Sequence, residues 1–341
     1  MTDSRDHGTS PELIGRLLGG GPRTVRLERR ALRGGLEAAS IERVTARYED
    51  ARGRGRLATF VVKRLAGPAT REARVYERLL ASYAGDISPR VYTVERPAKG
   101  HAVLYLEAVR GLRAWPWQAR SAAESVLQRV AGMHARAVDS AARDALQDWD
   151  YDAELQAAAA LTLERLDQVR RRGEPDAVRS AARARRLVGA LPALRRELLG
   201  FRPLGTAVIH GDLHPGNVVL RRRRGRAEPV LLDWGRARIG SPLEDVSSWL
   251  QSLGAWEPEA RRRHDTLLAG YLAARGVSSR ITGELRAVYW LAGASNALAG
   301  ALAYHLAVLL DDRPSSRARA RAGYLAREWT RVIRRAAAFW C

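Results

Sequence analysis

The stretch VIHGDLHPGNVVLRRRRGRAEPVLLDWG, residues 208–235, decides the fold of this chain. Two apolar runs, VVL and VLL, flank a basic segment in which Gly225 favours a turn, so we predict a β-hairpin. The two ends of a hairpin lie side by side, which brings Asp212 and Asn217 next to Asp233. Two carboxylates and a carboxamide around one point suit Mg²⁺ and phosphate, because Mg²⁺ takes oxygen ligands and usually binds one or two carboxylates besides the phosphates.

The order of these residues is typical of kinase chemistry. The pattern His210-x-Asp212-x4-Asn217, with Asp233-Trp-Gly on the next strand, repeats the protein-kinase catalytic loop and its metal-binding Asp-Phe-Gly, with Trp234 in the aromatic place. In that chemistry the first Asp accepts the proton of the attacking hydroxyl, while the Asn and the later Asp hold Mg²⁺. The alternative is a metal-free hairpin whose Asp and Asn side chains stabilise turns.

The sequence motif HGDLHPGN, residues 210–217, resembles that of the aminoglycoside phosphotransferase and choline kinase superfamily of small-molecule kinases. The resemblance covers roughly residues 25–310. It implies an α+β, bilobal protein-kinase-like fold with an N-terminal antiparallel sheet lobe and a mainly helical C-terminal lobe. We expect a nucleotide-binding lobe over residues 1–110 and a catalytic and acceptor-binding lobe over residues 111–341.

The resemblance also assigns roles to residues of the motif. It implies that Asp212 positions and deprotonates the acceptor hydroxyl, that His210 holds the catalytic loop, and that Asn217 and Asp233 bind one or two Mg²⁺. Asp245 occupies the place where relatives carry an Asp that braces this loop. As a further hypothesis, His214 lines the acceptor site.

Lys63 is unusual in a chain that otherwise uses arginine. All but two of the 58 basic residues are arginine, the exceptions being Lys63 and Lys99. Lys63 stands near the end of the predicted strand LATFVVKRL, and a compact ammonium reaches between two phosphate oxygens where a guanidinium needs more room. The kinase template pairs this Lys with a Glu of the following helix. Glu72 matches that place better than Glu77, and the alternative is a surface lysine with a solvated Glu.

Two weaker patterns complete the predicted nucleotide site. The strands TVRLERRAL and SIERVTARYED are joined by RGGLEAAS, which resembles the family's nucleotide-covering turn. There Gly34 and Gly35 let the backbone approach phosphate and Ser40 offers a hydrogen-bond donor; a plain hairpin turn is the alternative. The last strand of the sheet, HAVLYLEAVRG, leads to a hinge where backbone groups from Glu107 to Val109 meet the base. Because backbone holds the base, both ATP and GTP are open.

Charge and composition restrict the partners. The net charge of +21 would ordinarily indicate nucleic acid. The arginines are scattered along predicted helices and resemble a coding bias, so we do not expect nucleic acid to be the main partner. A polycationic aminoglycoside would be repelled at long range unless its pocket is locally acidic.

One acidic cluster has two interpretations. The segment DWDYDAEL collects four acids, namely Asp148, Asp150, Asp152 and Glu154. We favour a helix N-terminus, where acidic groups oppose the macrodipole. The other interpretation is an acidic lip that attracts a cationic acceptor.

The sequence offers limited evidence on location. Its one cysteine, Cys341, excludes internal disulfides and suits a reducing cytoplasm, and the start of the chain lacks the apolar segment of a secretory signal. Residues 287–310 contain no charged residue and are long enough to cross a bilayer. Because alanine, glycine and several polar residues dilute this stretch, we predict a buried helix and no membrane span. The oligomeric state is left open.

Together these patterns predict transfer of the γ-phosphoryl of ATP or GTP, with Mg²⁺, to a hydroxyl of a small molecule such as an antibiotic, amino alcohol, sugar or metabolite. A helix is predicted within about ten residues of Asp233, where a protein kinase would carry a long activation segment with Ala-Pro-Glu, so we expect a small acceptor. Two alternatives are a catalytically silent nucleotide-binding protein and a basic nucleic-acid-binding protein on the same fold.

Overall fold

An antiparallel sheet of five strands forms the N-terminal part of the structure. The computed structural model describes residues 13, 15, 17, 25–32, 38–50, 52–112, 115–173 and 175–341. The strands are β1 (Val25–Ala31), β2 (Ser40–Glu49), β3 (Gly55–Ala66), β4 (Val91–Glu95) and β5 (His101–Glu107). They lie in the order β1-β2-β3-β5-β4, and every neighbouring pair is antiparallel. All five correspond to strands predicted from the sequence.

Helix α1 follows β3 and covers one face of this sheet. It spans residues 71–83 as a turn Arg71–Arg74, a π-helical stretch Val75–Leu80 and a last turn Ala81–Tyr83. Its predicted apolar side is buried, namely Val75, Tyr76, Leu79 and Leu80. The sequence pattern predicted the helix and its buried side but not the π-helical stretch.

The alternation of β3 decides where Lys63 points. Successive side chains of a strand point to opposite faces. Val62 joins a small apolar cluster on one face of the sheet, whereas Leu65 belongs to the large core that also contains the apolar side of α1. Lys63, two residues before Leu65, therefore faces α1.

Helices make up most of the C-terminal part. They are α2 (Arg120–His134), α3 (Ser140–Leu146), α4 (Tyr151–Arg171), α5 (Pro175–Gly200), α6 (Pro242–Trp256), α7 (His264–Ala274), α8 (Gly283–Asn296), α9 (Leu302–Leu310) and α10 (Ser316–Trp340). One continuous apolar core joins them to α1. This division into a sheet with one helix and a mainly helical remainder is the one predicted.

The predicted hairpin is present. Strands β7 (Val218–Arg223) and β8 (Arg226–Leu231) pair antiparallel, joined by Arg224 and Gly225 with φ of 48° and 80°. Two residues with positive φ form the turn whose twist matches that of paired strands. Two shorter strands, β6 (Ala207–Ile209) and β9 (Arg238–Gly240), pair with each other on either side of the hairpin in sequence.

The uncharged segment predicted as one buried helix is divided in the structure. It contains the end of α8, a π-helical stretch Ala297–Ala301 and α9, with Gly300 at φ 140° and ψ −24° at the break. These elements pack against α4, α6 and α10. By length and composition alone, Gly283–Leu310 is also apolar enough to cross a membrane, and 44% of its most apolar 18-residue window is buried within the protein.

A buried charge network joins three separate parts of the C-terminal half. Glu244 in the first turn of α6 accepts hydrogen bonds from Arg238 Nη2 at 2.9 Å and Arg195 Nη1 at 2.7 Å. Its other oxygen accepts the backbone N–H of Ser241 at 3.0 Å, completing a capping box. Burial alone would raise the pKa of the Glu244 carboxyl, but the two guanidinium groups outweigh burial and hold this pKa below its ordinary value.

We expect Glu244→Gln to lower the free energy of unfolding by about 3–5 kcal/mol, because it leaves two buried guanidinium groups without their shared carboxylate. Urea unfolding at neutral pH measures this loss. The depressed pKa of Glu244 means that its stabilisation is present above the ordinary glutamate value of 4.5 and disappears as the pH falls below it. The variant should therefore lose less stability on acidification than the wild type does.

The control is Glu259→Gln, which changes a surface glutamate paired with Arg262 at 3.0 Å and largely exposed. Such a pair contributes at most about 1 kcal/mol. Equal losses in the two variants would contradict the role assigned to the buried network.

Candidate active site

The side chain of Asp245 holds the His-Gly-Asp loop through hydrogen bonds to its backbone. This carboxylate on α6 is fully buried and accepts the N–H of His210 at 2.7 Å and the N–H of Gly211 at 2.8 Å. His134 Nε2 lies 3.1 Å from the same group. Burial would raise the pKa of Asp245, but the hydrogen bonds from His134 and the backbone of His210 outweigh it and lower this pKa. The brace predicted at Asp245 is thus present, and His134 supports it as a structural residue.

His210 connects the loop to the end of β8. Its Nδ1 accepts the backbone N–H of Asp212 at 3.2 Å, and its Nε2 lies 2.8 Å from the carbonyl of Leu232. Since Nδ1 acts as the acceptor, Nε2 carries the proton and donates to that carbonyl. The ring is buried against Trp234, with ring centroids 4.7 Å apart. These contacts connect His210 to the loop and to the end of β8, and its role in the reaction stays a prediction.

Gly211 is required by the shape of the loop. Its φ is +80°, in the left-handed region that favours glycine. A Cβ at this position would lie 2.1 Å from the carbonyl oxygen of Arg236 and 2.3 Å from Nη1 of Arg238. The sequence motif therefore carries glycine here because the segment after Asp233 crosses directly against the loop.

Lys63, Glu72 and Asp233 form one ionic chain. Lys63 Nζ lies 2.6 Å from Glu72 Oε2 and 2.8 Å from Asp233 Oδ1. Burial would lower the pKa of the ammonium, but the two carboxylates outweigh it and raise this pKa above its ordinary value. Asp233 itself has φ 61° and ψ 72°, a left-handed conformation that costs a non-glycine residue about 1–3 kcal/mol. The structure thus pairs Lys63 with Glu72, as the sequence predicted, and adds an ion pair between Lys63 and Asp233 that the sequence pattern did not predict.

Asn217 fixes the carboxylate of Asp212. Its Nδ2 donates to both the backbone carbonyl and Oδ2 of Asp212, at 3.0 Å each. Asn217 also accepts the N–H of Leu232 on its backbone carbonyl at 2.8 Å, so it lies beside the end of β8 just before Asp233. His214 Nε2 lies 3.7 Å from Asp212 Oδ2. The two ends of the hairpin therefore meet as predicted.

The oxygen atoms left over at this point suit Mg²⁺ held together with phosphate. Asn217 Oδ1 and Asp233 Oδ2 accept no hydrogen bond from any described residue, because the bonded atoms are Nδ2 and Oδ1. No group of three or more His, Cys, Asp or Glu suited to a metal occurs among the described residues. A carboxylate and an amide oxygen form an incomplete set for a metal bound by protein alone, but they fit Mg²⁺ that takes its other ligands from phosphate and water.

The weaker nucleotide-site predictions have mixed outcomes. Gly34 and Gly35 lie outside the described residues. Ser40 begins β2 and is exposed, opposite Arg64 of β3. The backbone N–H of Glu107 donates to the carbonyl of Arg90 at 2.8 Å, so this donor is used within the protein. Base contacts by other backbone groups of residues 107–109 stay a prediction.

The acidic cluster forms a helix N-terminus, as we favoured. Asp150 caps α4 by accepting the N–H of Ala153 at 3.0 Å. The other three acids form ion pairs, Asp148 with Arg74, Asp152 with Arg195 and Glu154 with Arg236. These carboxylates are neutralised by arginines of the protein.

A cavity of about 530 Å³ opens beside Asp212, and we call it the Asp212 cavity. Its lining includes Asp212, His214, Asn217 and Asp233, and that His214 contacts an acceptor there stays a prediction. The lining also contains Trp256, Tyr304 and Trp329 from α6, α9 and α10, and we call these three residues the aromatic wall. None of the four residues of the acidic cluster lines it.

The aromatic wall was missed by the sequence reasoning. Its three members are separated by dozens of residues, and no local spacing joins them. The only local signal was aromatic residues at exposed helix positions, such as Trp256 at 42% and Tyr304 at 46% exposure.

Comparisons with known proteins agree on one family. A sequence model described as the phosphotransferase enzyme family, APH, matches residues 29–291. A search of curated protein sequences finds no match to this chain.

Three solved structures show the same fold. A choline/ethanolamine kinase family protein from Mesorhizobium loti has a TM-score of 0.55 at 17% identity, covering 98% of this chain and 96% of its own. The GDP complex of aminoglycoside 2′-phosphotransferase-IIIa has a TM-score of 0.53 at 15% identity, covering 96% of each chain. An amicoumacin kinase in complex with AMP-PNP, Ca²⁺ and Ami has a TM-score of 0.54 at 14% identity, covering 91% of this chain and 89% of its own. The predicted fold class is confirmed.

Replacing Gly211 should test the geometry of the loop. We expect Gly211→Ala to lower the free energy of unfolding by at least about 2 kcal/mol, because it adds left-handed strain to a clash with backbone atoms. Urea unfolding measures the loss. The control Gly132→Ala adds a methyl to an exposed helical position with no atom within 4 Å and should be neutral or slightly stabilising. Similar stability of the two variants would show that the loop does not need its glycine.

Proposed function

Because this chain belongs to the phosphotransferase enzyme family, we propose that its cleft transfers the γ-phosphoryl of ATP or GTP to a hydroxyl of a small molecule, with Mg²⁺. The observation that carries this proposal is the meeting of two pairs at the hairpin ends. One pair is the buried Lys63 ammonium with Asp233, and the other is Asp212 held by Asn217. The first pair suits phosphate and metal, and the second suits a hydroxyl.

Asp212 is the residue that would act on the acceptor. Its side chain is 43% exposed and faces the Asp212 cavity, whereas its backbone is held by His210 and its Oδ2 by Asn217. Oδ1 is the oxygen without such a bond among the described residues. We assign it to the acceptor hydroxyl, whose proton passes to the carboxylate as the hydroxyl oxygen bonds to the γ-phosphorus and the bond to the β-phosphate oxygen breaks. Nucleoside diphosphate is the leaving group.

Asn217 Oδ1 and Asp233 Oδ2 would hold Mg²⁺. The metal supplies positive charge against the phosphate oxygens as negative charge moves onto the leaving group. Lys63 would bind the α and β phosphates through its remaining N–H group, since Glu72 and Asp233 fix its direction. Residues 1–110 would then form the nucleotide lobe and residues 111–341 the catalytic and acceptor lobe.

The choice between ATP and GTP stays open in this proposal. One similar structure contains GDP and another contains an ATP analogue. We assign the base to backbone groups of residues 107–109, and the phosphates to the backbone at Gly34 and Gly35, which lie outside the described residues, and to Ser40. Backbone contacts of this kind accept either purine when the surrounding shape allows it.

The location and the uncharged helix belong to the same proposal. We place the protein in the cytoplasm and assign Gly283–Leu310 to the core of the helical lobe, where α8 packs on α6 and α10. The single exposed thiol, Cys341, suits a reducing compartment.

The alternatives predict different behaviour. A silent nucleotide-binding protein would lack part of the chemistry, but the lysine, both aspartates and the asparagine are all in place. A nucleic-acid-binding protein with net charge +21 would bind in a manner that weakens steeply with salt. Nucleotide binding at the proposed site would depend chiefly on Mg²⁺.

Asp212→Ala should lower phosphoryl transfer by at least about a hundredfold, because it removes the positioned proton acceptor. The measurement is nucleoside diphosphate formation in a screen of hydroxylated acceptors, with nucleotide affinity followed by calorimetry. We expect nucleotide affinity to be retained. The control Asp265→Ala removes a surface aspartate that pairs with Arg286 and should leave turnover unchanged. Unchanged turnover in Asp212→Ala would refute the assignment.

Asn217→Ala should raise the Mg²⁺ concentration needed for half-maximal nucleotide binding by roughly tenfold, the size expected for losing support of a bound metal. Titrating nucleotide affinity against Mg²⁺ measures this shift, and removing Mg²⁺ with a chelator should abolish tight nucleotide binding in the wild type. Gln168→Ala changes a surface amide on α4 and serves as the control. A nucleotide affinity of the wild type that does not change with the Mg²⁺ concentration would contradict the proposed metal site.

A further inference from the structure

The Asp212 cavity provides evidence about the acceptor itself. It is continuous with the proposed catalytic carboxylate and, at about 530 Å³, it lies within the size range of small-molecule pockets. Anything bound there would be presented to Asp212. The chemistry of its walls therefore describes the molecule that receives the phosphoryl group.

The aromatic wall gives the cavity a large apolar surface. Trp256 and Tyr304 are among the most exposed large hydrophobic side chains of the described structure. Trp329 and Leu325 from α10 continue this surface at depth. Exposed aromatic side chains that line a cavity offer a large apolar area for a ligand, since their burial releases water from both partners.

The acidic groups in the cavity belong to the proposed phosphoryl-transfer site. Among the described residues that line it, only Asp212 and Asp233 carry carboxylates, and both belong to the transfer site. The acidic cluster at the start of α4 lies outside the cavity lining and is paired with arginines, one of which, Arg236, lines the cavity. A ligand with several ammonium groups would thus find no carboxylate reserved for it, in a protein of net charge +21.

Positive charge stands close to the aromatic wall. The guanidinium of Arg321 lies 5.7 Å from the ring of Trp256, and the indole of Trp115 stacks on Trp256 at 5.3 Å. The Trp256 ring thus already contacts protein groups, one of them a cation. His305 is neutral at physiological pH because burial, together with Arg321, lowers its pKa to about 4.

Arg236 adds a guanidinium to the lining of the cavity, and the other polar groups outside the transfer site include two serines. Ser248 and Ser252 lie one turn apart on α6 and make no side-chain hydrogen bond to a described residue. Hydroxyl groups of this kind exchange hydrogen bonds with hydroxyls of a ligand without requiring charge. Since Ser248, Ser252 and Trp256 follow one another at intervals of four residues on α6, the hydroxyls and the aromatic wall lie next to each other in the cavity.

We propose that the acceptor is an uncharged, polyhydroxylated molecule with an extended apolar face, which lies on Tyr304 and Trp329 and directs its hydroxyls to Ser248, Ser252 and Asp212. This inference rests on the proposed function, since it assigns the Asp212 cavity to the acceptor. It excludes polycationic aminoglycosides as the preferred acceptors.

Three probes separate the properties of the ligand. Octyl β-D-glucopyranoside, below its micelle-forming concentration, offers sugar hydroxyls on an apolar chain. N-octyl-D-glucamine has similar groups with one positive charge, and kanamycin carries several. Ligand-observed NMR titrations with the full chain, Mg²⁺ and ADP measure the binding. We expect the neutral probe to bind at least about tenfold more tightly than either cation, a difference of about 1.4 kcal/mol.

Variants place the binding in the cavity. Tyr304→Ser removes a 46%-exposed ring and should weaken binding of the neutral probe by about tenfold, as expected for an aromatic anchor. Phe339→Ser removes a ring of similar exposure on α10 outside the cavity and should change nothing. Tyr304→Asp adds a carboxylate to the wall and should shift the preference toward N-octyl-D-glucamine.

The outcomes distinguish the two proposals. Tighter binding of kanamycin or N-octyl-D-glucamine to the wild type, absence of saturable binding by the neutral probe, or binding unaffected by Tyr304→Ser would overturn the acceptor class. A separate assay with ATP or GTP in place of ADP measures nucleotide consumption. Saturable binding of the neutral probe that depends on Tyr304, with no nucleotide consumption in the presence of any acceptor of the screen, would refute the kinase and leave the cavity preference standing. Phosphate transfer to kanamycin in preference to the neutral probe would refute the preference and leave the kinase standing.

Discussion

The buried carboxylate of Asp245 is the constraint on which the site depends. It accepts two consecutive backbone N–H groups, of His210 and Gly211, and is itself fully buried. Two such bonds fix the peptide plane between them, and the left-handed φ of Gly211 then turns the chain toward Asp212. A single buried charge thus sets the direction of the proposed catalytic carboxylate. Because unpaired buried charge is costly, the same contacts couple stability to the geometry of the loop.

The buried carboxylates of α6 and the carboxylates of the proposed transfer site differ in how far they are paired. Glu244 and Asp245 of α6 are buried and paired, whereas Asp212 and Asp233 each retain an oxygen that has no partner among the described residues. The strained φ of Asp233 and its ion pair with Lys63 occur at the same point. We infer that the buried, paired carboxylates of α6 form a rigid support. This support holds Asp212 and Asp233 in place, each with an oxygen available to a hydroxyl or a metal. Structural strain at such a point is typical of functional sites.

Whether the positive net charge of the chain disfavours a cationic acceptor depends on the residues that line the Asp212 cavity. A surface rich in arginine repels cations at a distance, and only a locally acidic pocket would reverse this effect. Arginines neutralise the acidic cluster at the start of α4, and the Asp212 cavity instead presents aromatic rings and hydroxyls. The long-range field of the protein and the local chemistry of the cavity therefore both disfavour a polycationic acceptor.

The sequence by itself determined the five strands, helix α1, the hairpin and the set of Lys63, Glu72, Asp212, Asn217 and Asp233. Periodicity and turn chemistry are local, and the ends of a hairpin must meet. Only tertiary structure decided that Glu244 joins Arg195 to Arg238, that the acidic cluster is paired, and that three aromatic residues from α6, α9 and α10 form one wall. The break at Gly300 within the uncharged helix also escaped the sequence pattern. The physical reason is that contacts between distant helices depend on how they pack, which no local spacing of residues encodes.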